Sequence, residues 1–139
     1  MSQSSATEPT PGADAAVGEV TVTLPAEGAY LSVLRTVTAG LAARLDFTLD
    51  EIEDLKIAVD EACAMLLSQA LPGADLHVAF VLDGDALSVS VTVATADGRE
   101  PSRETFSWMV LTALAGTVDA HADTEGLVTI SLRKTRLAT

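Results

Sequence analysis

A two-layer α/β sandwich, with helices on one face of a mostly antiparallel sheet, is the α+β fold this sequence predicts, and three observations carry the prediction. Apolar periodicity runs in the order β, α, α, β, β, α, β, with one further short candidate strand before the last. An Asp-Gly pair joins two β-rich runs as a hairpin. The order is not the strict alternation of a parallel nucleotide-binding sheet, and there is no Walker or dinucleotide glycine pattern.

Residues 1–18 are rich in Ser, Thr, Ala, Pro and Gly, with Pro9, Pro11 and Gly12 opposing regular structure, so they read as a disordered tail. Residues 19–139 form the domain. Val20, Val22 and Leu24 alternate with Thr21 and Thr23, which predicts a strand over Glu19 to Leu24, ended by Pro25. From Ala29 to Leu45, Leu31, Leu34, Val37, Leu41 and Leu45 recur at intervals of three and four and mark one helical face. Arg35 and Arg44 fall off that stripe.

Thr48 opens a second helix. Thr48 and Glu51 form a capping-box pattern, in which hydroxyl and carboxylate satisfy otherwise unpaired amides. Ile52, Leu55, Val59, Ala62, Cys63 and Leu66 supply its buried face, and Pro72-Gly73 is expected to end it. Leu76–Leu82 and Ala86–Val93 are strands joined through Asp83-Gly84-Asp85. Ala94–Arg103 is polar and irregular. Ser107–Leu114 reads as a short third helix presenting Trp108, Leu111 and Leu114, closed by Gly116. Val118–His121 is the candidate strand, and Val128–Arg133 is the last one.

The chain has 139 residues, 48% of them apolar and only 4% aromatic, enough for one core built of Leu, Val, Ala and Ile. Its net charge of −12 removes any broad attraction to phosphate backbones, so nucleic acid is not an expected partner. The same charge suits a basic protein partner, or solubility alone. No apolar run approaches the roughly 20 residues needed to cross a bilayer, and the amino terminus has no signal-peptide pattern. The expected location is the cytoplasm. One cysteine, Cys63, cannot form an internal disulfide and reads as a small buried hydrophobe. His77 and His121 show no metal spacing with it.

The segments Tyr30-Leu31-Ser32-Val33-Leu34-Arg35 and Phe47-Thr48-Leu49-Asp50-Glu51-Ile52-Glu53-Asp54-Leu55-Lys56-Ile57-Ala58-Val59-Asp60-Glu61-Ala62 resemble anti-sigma factors of the RsbW and SpoIIAB type. These belong to the histidine-kinase-like ATPase superfamily, with the Bergerat fold. Phe106-Ser107-Trp108-Met109-Val110-Leu111-Thr112-Ala113-Leu114 is similar to the actinobacterial branch that includes UsfX-type factors. The resemblance covers about residues 19 to 134.

The resemblance implies a cytoplasmic homodimer that holds an alternative sigma factor away from RNA polymerase and is antagonised by a STAS-domain anti-anti-sigma factor. Active members also phosphorylate that antagonist on serine, using ATP and Mg²⁺. Glu61 matches the position of the catalytic carboxylate, but Met65 stands where an asparagine would bind Mg²⁺, and a thioether suits a hard cation poorly. Asp97-Gly98-Arg99-Glu100-Pro101 lies where an Asp-x-Gly-x-Gly adenine motif is expected and lacks its later glycines. No glycine occurs between Gly98 and Gly116, although a phosphate lid needs backbone free of side chains.

The expectation is therefore a degenerate nucleotide site at Glu61, Met65, Asp97 and Gly98, with no bound metal, no cofactor and no kinase activity. Glu61 would be a relic, a cap or a salt-bridging carboxylate. Phe106 and Trp108 are expected to fill the vacated pocket. The alternative is a working ATP-dependent serine kinase. Arg35 is the foremost expected partner-binding residue, with Leu31 and Arg44 as further candidates, its guanidinium suited to a bidentate bond with a partner carboxylate.

Overall fold

A computed structural model describes residues 17–137. Its elements are β1 (Val17–Pro25), a 3-10 turn (Gly28–Tyr30), α1 (Leu31–Arg44), α2 (Leu49–Leu67), β2 (Asp75–Asp83), β3 (Ala86–Ala94), α3 (Phe106–Leu114), β4 (Thr117–Ala122) and β5 (Leu127–Thr135). The five strands form one sheet in the order β1-β2-β3-β5-β4, with every neighbouring pair antiparallel. The predicted two-layer sandwich is the fold observed. Strand β1 begins at Val17, two residues before the predicted start, because its ladder to β2 continues to the Val17 and Asp83 pair. The rest of the expected tail, residues 1–16, lies outside the described residues.

Strand alternation separates the two faces of the sheet. Leu76, Val78 and Phe80 of β2, Val89, Val91 and Val93 of β3, and Val128, Ile130 and Leu132 of β5 are buried in the core. The opposite face carries hydroxyls that bond across strands, Ser90 to Ser131 at 3.1 Å and Thr92 to Thr129 at 2.7 Å. The β2–β3 hairpin turns through Gly84 and Asp85, with Gly84 at φ +64°, a conformation that glycine adopts without steric cost.

Helix α2 is the middle of the helical layer, packed between α1 and α3 and over β3 and β5. Its capping box forms as expected: Thr48 N donates to Glu51 Oε1 at 2.8 Å, and Glu51 N donates to Thr48 Oγ1 at 3.1 Å. Glu51 is only 3% exposed, because its second oxygen accepts from Leu137 N at 2.7 Å and so ties the end of the described chain to the helix start. The helix stops at Leu67, five residues before Pro72, as Ser68 Oγ turns back to donate to Met65 O.

In α1 the predicted stripe is inward but only Leu34 of it is fully buried. Thr38 and Ala42 complete the buried line, and Thr38 achieves this by donating its hydroxyl to Leu34 O at 2.7 Å. Gly116, after α3, allows a close approach: a Cβ there would lie 2.9 Å from Arg133 O.

Candidate functional site

A cleft of about 470 Å³ opens between the last turns of α2 and the segment from Asp97 to Ser107 that leads into α3. Ala64, Met65, Ser68 and Gln69 form one wall, because spacings of three and four place them on one helical face. Asp97, Arg99, Glu100, Pro101, Ser102, Thr105 and Ser107 form the other. The structure thus brings Met65 and Asp97 together, 32 positions apart in sequence.

The loop wall is folded from inside. Gly98 takes φ +62°, its amide donates to Thr95 Oγ1 at 2.8 Å, and Thr95 Oγ1 in turn donates to Gly126 O at 2.8 Å. This turns Asp97 toward α2. Asp97 Oδ1 accepts from Gln69 Nε2 at 3.2 Å and from Arg99 N at 3.3 Å. Gln69 Nε2 also donates to Arg99 O at 2.8 Å, so one amide side chain straps the loop to the helix. Sequence reasoning missed Gln69. The available signal was its place one helical turn beyond Met65, on the same face.

Glu61 is half-buried one turn before Met65, and the cleft wall starts beyond it, at Ala64. It sits mid-helix and makes no side-chain hydrogen bond or ion pair among the described residues, so it is neither a cap nor a salt-bridging carboxylate. Its neighbour Asp60 is the engaged carboxylate.

Phe106 and Trp108 do not fill the cleft. Phe106 is 77% exposed, because as the first residue of α3 it points away from the core. Trp108 is 7% exposed and belongs to the core, with the Arg103 guanidinium 4.9 Å above its ring. Arg103 Nη2 also donates to Asp119 Oδ1 at 2.9 Å and to Ala120 O at 3.0 Å, and lies 3.5 Å from Glu100 Oε1. The hydrogen bond from Arg103 lowers the Asp119 pKa, and the same bond raises that of Arg103. Arg103 therefore anchors the far side of the cleft segment to β4.

Arg35 lies on the outer surface of α1. Its Nε donates to both oxygens of Asp60, at 3.0 and 2.8 Å, bracing α1 against α2. Ser32, Arg35, Thr36, Ala39 and Lys56 enclose a shallow hollow beside this pair. Leu31, one turn before Arg35, is half-buried against the core. Arg44 is exposed in the last turn, nine residues on, and about 100° per residue sends it to the opposite side of the helix. The structure therefore groups Leu31 with Arg35 and separates Arg44 from both.

Cys63 is buried on α2, and burial, with a smaller effect of the Asp60 charge, pushes its pKa up to about 12. A thiol in that state is unreactive at neutral pH. Among the described residues no three His, Cys, Asp or Glu side chains converge as a metal site, and no helix is long and apolar enough to cross a membrane.

No family model matches the chain. Individual proteins do. It is 34% identical over 115 residues to an anti-sigma-F factor RsbW of Mycobacterium tuberculosis, an alignment covering 83% of this chain and 68% of that protein. It is 38% identical over 74 residues to a serine-protein kinase RsbW of Halalkalibacterium halodurans, covering 52% of this chain and 46% of the relative. A crystal structure of the RsbU and RsbW domains of a Mycobacterium tuberculosis protein matches with a TM-score of 0.66 at 18% identity. That match covers 88% of this chain but only 35% of the solved one, and it shows a shared fold. With the first-half motif, the antiparallel sandwich and the full-domain alignment all in agreement, this chain belongs to the RsbW family of anti-sigma factors.

Proposed function

We propose that this chain is a non-catalytic anti-sigma factor: it sequesters an alternative sigma factor, is displaced by a STAS-domain anti-anti-sigma factor, and transfers no phosphate. One observation carries the loss of catalysis. Met65 lines the cleft where the resemblance calls for an oxygen ligand, while Oδ1 of the Asp97 carboxylate opposite already accepts from Gln69 Nε2 and Arg99 N. Mg²⁺ needs near-octahedral oxygen ligands, which a thioether does not supply.

The surrounding charge supports the same reading. Asp97 and Glu100 face the cleft against Arg99 alone, so a triphosphate would meet a wall without net positive charge. The segment from Arg99 to Ala115 has no glycine to let backbone amides close around phosphates. These residues do not fit a magnesium-bound nucleotide. Calorimetric titration with ATP, with and without Mg²⁺, is expected to show no saturable binding, and low-micromolar affinity would overturn the reading.

Sequestration needs a surface rather than a reaction. On this reading Arg35 presents the remainder of its guanidinium to a carboxylate of the sigma factor while Asp60 fixes its stem, with Leu31 beside it. Arg35→Ala is expected to weaken sigma binding by about 1–3 kcal/mol in a titration, as for a central arginine contact. Unchanged affinity would remove Arg35 from the interface. The protein acts as a homodimer in the cytoplasm, and sedimentation of the free chain tests the first of these.

A second reading, an active serine kinase, is favoured by the open cleft that Phe106 leaves unfilled. Incubation with labelled ATP and a STAS-domain partner separates the two. Label on a partner serine would establish the kinase.

A further inference from the structure

The two edges of the sheet are finished differently. Strand β4 is six residues long, carries Asp119 and His121, and is held by Arg103, whose Nη2 donates to Ala120 O at 3.0 Å and to Asp119 Oδ1 at 2.9 Å. Strand β1 is nine residues long and pairs without a break with β2, on one side only. Its other side makes no backbone bond among the described residues. Edge strands are ordinarily protected by a lysine, a proline, a bulge or a short length, and β1 has none of these before Pro25 closes it. Its one charged side chain is Glu19.

The flank above this edge is apolar as well. Val20, Val22 and Leu24 lie on the core side, opposite Phe80, Val78 and Leu76 of β2, yet Val20 is 38% exposed because no further strand covers it. Helix α1 lies on the β1 side of α2, since α3 takes the β4 side. Arg35 points to α2, and at about 100° per residue Val33 falls on the opposite flank of α1, the one that overhangs β1. Val33 is 42% exposed there.

The strand selects its own occupant. Thr21 is the midpoint of Val17–Pro25, so a two-fold axis through it pairs the whole strand with that of a second copy. Thr21 then faces Thr21 of the other copy, Val20 faces Val22 on the core side, and Glu19 faces Thr23 on the open side. The two Glu19 carboxylates end about four residues, roughly 13 Å, apart along the seam, beyond the screening length of about 8 Å at physiological salt. Elsewhere a net charge of −12 on each copy opposes association, and this edge is where it is weakest.

We propose that two copies join edge to edge through β1, antiparallel about Thr21, into one continuous sheet of five strands from each copy, with both helical layers on the same face. The backbone ladder supplies the attraction and the side-chain pairs fix the register. The seam rests on the homodimer reading and specifies where the copies meet.

The test uses the full chain in three cysteine variants, with Cys63 fully buried and out of reach. Thr21→Cys is expected to give a disulfide-linked dimer under mild oxidation, since residues paired across the axis have Cα atoms about 4.5–5.5 Å apart. Thr23→Cys, on the same face but roughly 13 Å from its copy, and Thr117→Cys, exposed on the β4 edge, are expected to run as monomers on a non-reducing gel. Thr21→Lys sets two like charges directly opposite each other and should weaken the dimer about tenfold or more in sedimentation. The same change reduces the net negative charge, so general repulsion between copies works against that result. Thr21 is exposed, and circular dichroism should show an unchanged fold.

Wild type that is monomeric at every concentration, without linkage at position 21, would overturn the homodimer reading and the seam together. A wild-type dimer that neither links at position 21 nor weakens with Thr21→Lys would overturn the seam alone. Linkage at position 23 or 117 in place of 21 would do the same, by placing the contact in another register or on the other edge.

Discussion

The two ends of α2 are held in different ways. At the amino end, Thr48 and Glu51 satisfy each other within one turn, and Glu51 alone accepts the amides of Thr48 and Leu137. At the carboxyl end, Met65, Ser68 and Gln69 face a cleft, and the main polar tie is the Gln69 strap to a loop some thirty residues away. Helix termini leave amides or carbonyls without intrahelical partners, and a local side chain satisfies them at little loop-closure cost. The amino end has such a local cap in addition to its distant tie to Leu137, whereas the polar tie at the cleft end comes mainly from a distant loop.

This contrast can be broken most strongly through packing at the cleft end. Leu66 is fully buried one residue from Met65, and Leu66→Ala should cost about 2–5 kcal/mol in urea unfolding, through lost burial and the cavity left behind. A cost well under that range would mean that the cleft end collapses to fill the gap. Glu51→Ala at the opposite end should cost about 1–2 kcal/mol, the scale of a lost helix cap.

Acid offers a second way to read the same carboxylate. Burial pushes the Glu51 pKa up, but hydrogen bonds from the Thr48 and Leu137 amides and from the Thr48 hydroxyl outweigh it and hold it below the usual carboxylate value. Its contribution is therefore complete above the unfolded pKa and is lost as pH falls through the lower folded value. Melting temperatures of the wild type should drop over that acid range, and Glu51→Gln should flatten part of the slope. An identical pH profile for both proteins would contradict the assigned role.

A smaller effect is expected from Gln69→Ala. Its hydrogen bonds are exposed, so stability should fall by only about 0.5–1 kcal/mol. The sharper readout is proteolysis within residues 97–105, which should accelerate once the strap is gone. Arg103 still anchors the segment on its other side, so a variant lacking both ties should be cut faster than either alone. The smallest effect is that of Met65→Asn, which restores an oxygen ligand while leaving Asp97 engaged. Stability should hardly change and ATP should still not bind. Gain of Mg²⁺-dependent ATP binding would show that Met65 alone closes the site.

Much of this architecture was legible in the sequence because it rests on short-range rules. The capping box, the Gly84 hairpin and the three- and four-residue stripes each depend on neighbours within one turn, and all occur where expected. The errors fall where distant groups compete. Phe106 read as a pocket filler and is exposed, and Glu61, read as a relic, a cap or a salt-bridging carboxylate, makes no capping or ionic contact among the described residues. Gln69 offered only its helical spacing from Met65 and Arg103 no periodic signal at all, and a polar side chain in an irregular or terminal position satisfies many alternatives equally well.

The amino-acid order alone established the element sequence, the antiparallel class, the family motif on α2 and the thioether at position 65. Each follows from local conformational preference or from side-chain chemistry, which travel with the residue. Packing assigned the partners: Asp60 for Arg35, Gln69 for Asp97, Asp119 and Trp108 for Arg103, and solvent for Phe106. Such pairings depend on which surfaces the sheet and helices bring within about 3 Å of one another, a property of the folded whole that no short window of sequence contains.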